Sequence, residues 1–201
     1  MTIAKARIAT GIVVSVGAIA AFAGIASGRA ARELPHGLSA GTSGLDRVPP
    51  MVAPAPHLLT RVEELARFAH ADPTAASRNL RLVRSGLGRS RTNIYVFRNE
   101  RGHPCIVVPD WIGFCEPDSG STTPGLDWSI GGGDTQTPSK FIAVYSDDVA
   151  TVTLRIDGEN MPVSMANNVA YAELPAESRD AVFTAIRRDG SENSVSLDLA
   201  G

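Results

Sequence analysis

Cysteine is scarce in this chain, since Cys105 and Cys115 are the only two among 201 residues. Neither cysteine has a histidine or another cysteine at the close spacing of zinc ligands, so the pattern argues against a zinc site. The N-terminal region contains no cysteine, which argues against a lipoprotein anchor. The pair instead predicts one disulfide, with two unpaired buried thiols as the alternative.

The chain has little net charge, formally −2 at pH 7, and few aromatic residues, which make up 5% of it. Nucleic-acid-binding domains are commonly basic and stack aromatic side chains on bases, so no nucleic-acid partner is expected. Of the four histidines, only His103 lies near a predicted hairpin, and no GxSxG elbow places a serine beside it. The sequence therefore favours a non-enzyme, and it assigns no catalytic, cofactor-binding or metal-binding residue.

The N-terminal region holds the long apolar run of the chain. Residues 8–28 contain no charge over 21 positions and follow a short tail, residues 1–7, that carries Lys5 and Arg7. A helix of about 20 such residues matches the roughly 30 Å hydrocarbon core of a bilayer. The run fits an uncleaved transmembrane anchor or a cleaved signal helix; the anchor is favoured because signal peptide cores have about 7 to 15 residues. With an uncleaved anchor, the protein spans the cell membrane once and its C-terminal domain lies outside the cytoplasm. With a cleaved signal helix, that domain is secreted.

Two short α-helices are predicted between a linker and the β region. Residues 29–56 are rich in proline and glycine and predict a flexible linker. In residues 57–88, Thr60 and Glu63 have capping-box spacing at the start of a first helix. Asp72 as N-cap and Pro73 as first helical residue start a second helix, which apolar residues at helical intervals extend to Leu87. Both helices are expected to pack on the sheet that follows.

Three arginines are spaced three apart in the second predicted helix, namely Arg78, Arg81 and Arg84. On a helix they form one basic face, which is a candidate surface for an anionic partner such as an envelope polymer or lipid headgroups. The alternative is a solvated face that complements the helix C-terminus and balances the mainly acidic residues 110–198.

Residues 89–201 carry the pattern of an antiparallel β domain. The segments 94–97 and 104–108 are β-branched or aromatic and are separated by turn formers ending in Gly102, which predicts a hairpin. A third strand at residues 112–115 brings Cys115 to Cys105. A disulfide between them closes a small loop, contributes roughly 2.5 to 3 kcal/mol, and indicates an oxidising compartment.

Further strands are predicted after this hairpin, at residues 126–130, 140–145, 149–156, 161–165, 169–174, 181–187 and 194–199. Turn signals such as Asp157-Gly158 and Asn167-Asn168 divide them. Alternation of apolar and polar residues in 151–156 indicates one buried face, so we expect an antiparallel β-sandwich-like domain. The acids at the turns, including Asp147 and Asp148, lack the spacing of a calcium loop and are expected to cap turns.

Several segments in this order carry a resemblance: SGLG (85–88), IYVF (94–97), RGHPC (101–105), DWSIG (127–131), SDDVATVTL (146–154) and NNVAYAELP (167–175). With the apolar run and the Pro-rich linker before them, they resemble the uncharacterised single-span envelope proteins of high-GC bacteria. The resemblance implies an extracytoplasmic β fold. It transfers no site, because that group has no assigned activity.

We therefore expect a membrane-anchored extracytoplasmic β domain that acts as a binding or structural module of the cell envelope. Its expected partners are the membrane, through the N-terminal helix, and an envelope protein or an anionic polymer. The alternative is a cell-envelope hydrolase with a site near His103 and the 117–140 loop. A hydrolase requires His103 within about 3 Å of a serine oxygen, which only a structure can show.

Overall fold

The structure is a computed structural model that describes residues 41–109, 111–115, 125–131 and 138–199. The tail 1–7, the apolar run 8–28 and the predicted linker as far as residue 40 lie outside the described residues. None of the helices in the described ranges is both long enough and apolar enough to cross a bilayer.

The described residues contain three short helices, α1 (Ser43–Asp46), α2 (Pro56–Phe68) and α3 (Pro73–Arg78). The predicted capping box is wrong: α2 starts at Pro56, and Thr60 lies inside the helix, where its hydroxyl donates to the Pro56 carbonyl at 3.3 Å. Proline starts the helix earlier because its fixed φ suits the first turn. The start of α3 is confirmed, since the Asp72 carboxylate accepts the N–H of Thr74 at 2.9 Å.

The strands of the described residues form three four-stranded antiparallel sheets. Sheet A has the order β1-β2-β3-β4, sheet B the order β5-β6-β10-β9, and sheet C the order β12-β11-β7-β8. Their bounds are β1 (Arg81–Leu87), β2 (Thr92–Arg98), β3 (Pro104–Val108), β4 (Trp111–Cys115), β5 (Leu126–Gly131), β6 (Ser139–Tyr145), β7 (Val149–Ile156), β8 (Glu159–Met161), β9 (Ser164–Ala166), β10 (Val169–Leu174), β11 (Asp180–Arg187) and β12 (Glu192–Asp198). The mainly-β, antiparallel prediction is confirmed, and the described residues build three sheets where the sequence suggested two.

Sheet B lies between the other two sheets, and its central strands β6 and β10 are buried on both faces. In β6, Phe141 and Ala143 pack against sheet C, where the ring of Phe141 stacks on Phe183 with centroids 4.1 Å apart. The alternate residues Ile142 and Val144 pack against sheet A. A strand covered on both sides needs an unbroken apolar run, which explains the sequence of β6.

The helices α2 and α3 cover the other face of sheet A. Apolar residues of the helices, such as Val62 and Leu65, share one buried cluster with Tyr95 and Phe97 of β2. The two cysteines belong to the same cluster, and their disulfide joins positions that lie directly opposite each other on β3 and β4. The predicted disulfide is therefore present, buried between sheet A and the helical layer.

The second predicted helix is too long, because α3 ends at Arg78 and residues 81–87 form the edge strand β1. Two register irregularities interrupt the pairing of β1 with β2, one on each side of Arg84. In β1 only Val83 is buried, so the strand shows no alternation of buried and exposed residues. The apolar spacing of four, three and four residues that predicted one helix runs from Ala76 in α3 through Leu80 to Val83 and Leu87 in β1, so it spans a helix and a strand.

The strand predicted at residues 161–165 is divided between two sheets. Its first residue ends β8 in sheet C, and residues 164–165 belong to β9 in sheet B. Pro162 stands between them and has no N–H to donate to a strand ladder. The chain therefore leaves sheet C at this proline and joins sheet B.

Candidate functional site

Residues 41–48, which the sequence predicted to belong to the flexible linker, form a folded segment that we call the strap. Within the strap, the Leu45 side chain is only 1% exposed and lies in the core between sheets A and B. The four-residue helix α1 makes up the middle of the strap. This part of the predicted linker is thus docked on the domain, because one leucine and a set of polar contacts to distant residues hold it.

The N-terminal end of the strap is held by the corner between β6 and β7. The backbone N–H of Asp147 donates to the Gly41 carbonyl at 2.9 Å, and both carboxylate oxygens of Asp147 lie 3.0 Å from the Ser43 nitrogen. The side chain of Asn168 donates to Asp147 at 3.0 Å and accepts the Gly44 N–H at 2.6 Å. One carboxylate and one amide therefore satisfy the first N–H groups of α1, which its own short sequence leaves uncapped.

These contacts also set the charge of Asp147. Burial is the largest influence and by itself would raise the pKa of this carboxyl, but hydrogen bonds from Ser43 and Asn168 and the charge of Arg47 outweigh it. The pKa of Asp147 is lowered as a result, and the group is a carboxylate at neutral pH.

The other end of the strap is held by Arg98 at the end of β2. Its guanidinium forms two hydrogen bonds to the Asp46 carboxylate, from Nε at 3.0 Å and from Nη2 at 2.8 Å. The same side chain donates to the Thr42 hydroxyl at 2.9 Å and to the Gly102 carbonyl at 2.7 Å. Arg98 thus joins the strap to the β2–β3 hairpin through most of its donors.

A cavity of about 350 Å³ opens where the strap meets this hairpin. The strap contributes one part of its wall and the body of the domain the other; the lining residues are Gly41, Thr42, Ser43, Asp46, Arg98, Gly102, His103, Pro104 and Asp147. The size lies in the lower range of small-ligand sites. The lining combines hydroxyl, imidazole, carboxylate and guanidinium groups with a similar amount of apolar surface, so the cavity suits a ligand that carries both polar groups and apolar parts.

His103, the histidine on which the hydrolase alternative depended, lines this cavity. It sits in the β2–β3 turn, where the Asn99 side chain accepts its backbone N–H at 3.0 Å. In the 117–140 loop, which the hydrolase alternative needs, Ser119 and Ser121 lie outside the described residues, and Ser129 lies in β5. Ser43, which the sequence did not single out, shares the cavity with His103.

The three arginines predicted to form one helical face are separated by the end of α3. Arg78 is exposed at the last position of that helix, whereas Arg81 and Arg84 lie in β1. Arg81 donates to the carbonyl oxygens of Asp46 and Val48 in the strap.

Arg84 is likewise engaged within the domain. It donates to the Ser164 hydroxyl at 2.6 Å and to the Val169 carbonyl at 3.2 Å. Its burial lowers the pKa of this guanidinium, and the nearby Tyr145 partly offsets that effect. Two of the three predicted patch residues thus hold parts of the fold together, and only Arg78 of the three is classed as exposed.

The acidic residues at the turns cap backbone groups or pair with arginine. Asp148 accepts from the Ser146 hydroxyl and lies 3.4 Å from the Arg187 guanidinium. Asp157 accepts the N–H of Asp180 at 2.9 Å. Within the described ranges, no three histidine, cysteine or acidic side chains lie close enough together to hold a metal ion.

Sequence reasoning missed the strap and the two residues that receive it, Asp147 and Asn168. The sequence does contain a hint of the strap. Leu45 is a single large apolar residue that follows Gly41-Thr42 and Ser43-Gly44 and precedes Asp46. This signal carries no period, and Asp147 and Asn168 lie more than 100 residues away from the strap residues that they bond.

Comparisons with known proteins find no matching family model, no similar curated protein and no similar solved structure. The function is therefore argued from the disulfide and the cavity.

Proposed function

We propose that this chain is a membrane-anchored extracytoplasmic β domain that acts as a binding or structural module of the cell envelope. The observation that carries this proposal is the disulfide Cys105–Cys115 in the core of the helix-covered face of sheet A. Such structural bridges persist in oxidising compartments and are rare in the cytosol. The apolar run 8–28 is the proposed anchor, with a cleaved signal helix as the alternative.

The cavity beside the strap is the proposed binding site. Its guanidinium, Arg98, is already engaged by Asp46, and Asp147 is held ionised by the strap. The site therefore offers hydrogen-bond acceptors and hydroxyl groups to a ligand. Its one guanidinium is already paired with a carboxylate. Donor-rich units of an envelope polymer, such as its sugar hydroxyls or peptide amides, match this lining. An anionic polymer would instead meet the exposed Arg78.

The proposed location can be tested on intact cells. Protease added from outside should degrade the β domain, because it faces the exterior. The two thiols should react with a maleimide only after denaturation and reduction, because the bridge is closed and buried. A domain that survives protease in intact cells, with thiols that react before reduction, would contradict the location.

The binding site can be tested by retention of the full-length chain on isolated envelope polymer. His103→Ala should lower retention about fivefold, which corresponds to one hydrogen bond of about 1 kcal/mol. Ser196→Ala, in the outermost strand β12, is the matched control and should leave retention unchanged. Loss with Arg78→Ala and not with His103→Ala would move the binding site from the cavity to the end of α3.

Among the described residues, a hydrolase site at this cavity would use the Ser43 hydroxyl with His103 and an orienting carboxylate, because Ser119 and Ser121 of the predicted 117–140 loop lie outside those residues. The two carboxylates at the cavity already have other partners, because Arg98 binds Asp46 and the strap N–H groups bind Asp147. This arrangement favours binding over catalysis. Release of products from envelope polymer by the wild type, abolished in His103→Ala, would favour the hydrolase.

A further inference from the structure

The strap makes its hydrogen bonds to the body of the domain through residues far away in the chain. Ser43 and Gly44 bond residues 104 and 124 positions later, and Arg98 reaches Asp46 across 52 positions. The strap belongs to none of the three sheets, so its departure breaks no strand pairing. It can therefore leave its seat while the sheets stay folded, as local openings of this kind do in other proteins.

The connection between the strap and α2 is short and exposed. Val52 is fully exposed, and in this connection the backbone N–H of Met51 donates to the Leu80 carbonyl at 2.8 Å. Pro49, Pro50 and Pro54 stiffen the connection, a hinge that bends at Val52 and Ala53. Straightening of these bends, with loss of the Met51–Leu80 hydrogen bond, carries the strap away from its own domain.

The seat of the strap is specific in shape and charge. A Cβ at Gly44 would collide with Asn168 Oδ1 and lie 3.1 Å from the Asn167 backbone, so only glycine fits before the buried leucine. The seat then presents an apolar socket for Leu45 and the guanidinium of Arg98 for Asp46. A segment that fills it must combine glycine, leucine and a carboxylate in that order.

We propose that two copies of this chain exchange straps, so that residues 41–48 of one copy occupy the seat of the other. An exchanged strap makes every contact of the docked strap, because the two chains are identical, and only the hinge differs. An empty seat is unfavourable, since it exposes the apolar socket and leaves Asn168 and Asp147 without the strap N–H groups. A second copy offers the one segment already shown to fit.

A charge-reversal pair tests the exchange in full-length chains that carry two different tags. Asp46→Arg sets a second guanidinium against Arg98, and Arg98→Asp sets a second carboxylate against Asp46, so each variant repels its own strap. When the two variants are co-expressed, the strap of the first meets the seat of the second with opposite charges. We expect at least threefold more co-purification of the two tags than with either variant paired with itself. A chain that carries both Asp46→Arg and Arg98→Asp should show the wild-type level of co-purification, because its own strap and seat have opposite charges again.

A cysteine trap gives a second readout that leaves the charges at Arg98 intact. Ser43 and Asp147 are in contact, with N···Oδ distances of 3.0 Å, so Ser43→Cys in one copy and Asp147→Cys in the other should form an intermolecular disulfide. Ser43→Cys with Ser196→Cys, placed in β12 of sheet C, is the matched control and should form none.

The decisive comparison is with Ser43→Cys and Asp147→Cys combined in one chain. If that chain closes its bond internally while the mixed copies give no covalent dimer, the strap docks only on its own domain and the exchange is refuted. A covalent dimer of the mixed copies, absent in the control, supports the exchange. Closure of the native disulfide at Cys105 in every variant shows that the fold is retained.

Discussion

Replacing Leu45 by alanine is the most direct test of the docked strap. The side chain is 1% exposed and packs in the core between sheets A and B. Removing a fully buried leucine in this way costs about 2 to 5 kcal/mol of unfolding free energy, from lost burial and the cavity left behind. The cost cannot exceed the free energy that docks the strap, because the strap can open while the sheets stay folded.

The assay is thermal unfolding of the full-length chain in detergent, followed by tryptophan fluorescence. For a domain of this size, 1 kcal/mol shifts the midpoint by about 2 to 4 °C, so we expect Leu45→Ala to lower it by about 4 to 20 °C. Val52→Ala is the matched control in the same stretch of chain. Val52 is 101% exposed, so its truncation should change stability by no more than about 0.5 kcal/mol.

Tryptic cleavage after the exposed Arg47 reports strap opening independently of global unfolding. Leu45→Ala should speed this cleavage by at least tenfold if about 1.4 kcal/mol or more of docking free energy is lost. Equal midpoints and equal cleavage rates for Leu45→Ala and Val52→Ala would refute the docked strap. The stretch would then be the flexible linker that its composition suggests.

Three further outcomes follow from the packing and the charges. Cys105→Ala should lower the unfolding free energy by about 3 kcal/mol, measured by urea titration, and a reduced wild type that is equally stable would contradict a stabilising bridge. The lowered pKa of Asp147 adds stability above the ordinary carboxyl pKa, and this stability is lost as the pH falls through the folded-state pKa. The stability advantage of wild type over Asp147→Asn should therefore shrink between about pH 5 and pH 2, and a pH-independent difference would refute the assignment. Gly113→Ala should destabilise far more than Gly86→Ala, as thermal midpoints will show, because both have positive φ but only at position 113 does a Cβ collide with backbone; equal shifts would argue against this packing.

The strands that face water on one side could be predicted from the sequence. In β7, buried Val152, Leu154 and Ile156 alternate with exposed residues, so the period of two is visible. The turn at Asn167 and Asn168 was equally predictable, since both residues take the positive φ that this hairpin turn requires.

The number of sheets was predictable from three unbroken apolar runs, each of which predicts a strand covered on both faces. Residues 94–97, 105–108 and 141–144 are unbroken apolar runs, and each proves to be buried on both faces. Such runs indicate a strand with packed layers on both sides. Two of them are covered by helices and sheet B, and the third by sheets A and C.

The strap and β1 lay beyond sequence reasoning for a different reason. Their conformations are determined by partners that are remote in the chain, as when Arg81 and Arg98 bond the strap. Local spacing then misleads, because the apolar residues at helical intervals belong partly to α3 and partly to β1. Arg81 and Arg84, which were predicted to form a surface patch with Arg78, likewise donate hydrogen bonds to remote residues of the fold.

The strap and the cavity cannot change independently, because they share their walls. Ser43 and Asp46 of the strap face His103 of the hairpin across the same space, and Arg98 and Asp147 hold the strap while lining the cavity. A ligand that touches both sides binds the docked state more tightly than the open one. By thermodynamic linkage, the ligand raises the docking equilibrium constant of the strap by the same factor by which docking raises the affinity for the ligand. An exchanged strap rebuilds the same cavity, so the ligand stabilises the docked and the exchanged states equally. It disfavours only the open state through which exchange passes, and occupancy of the cavity should therefore slow exchange without shifting its equilibrium.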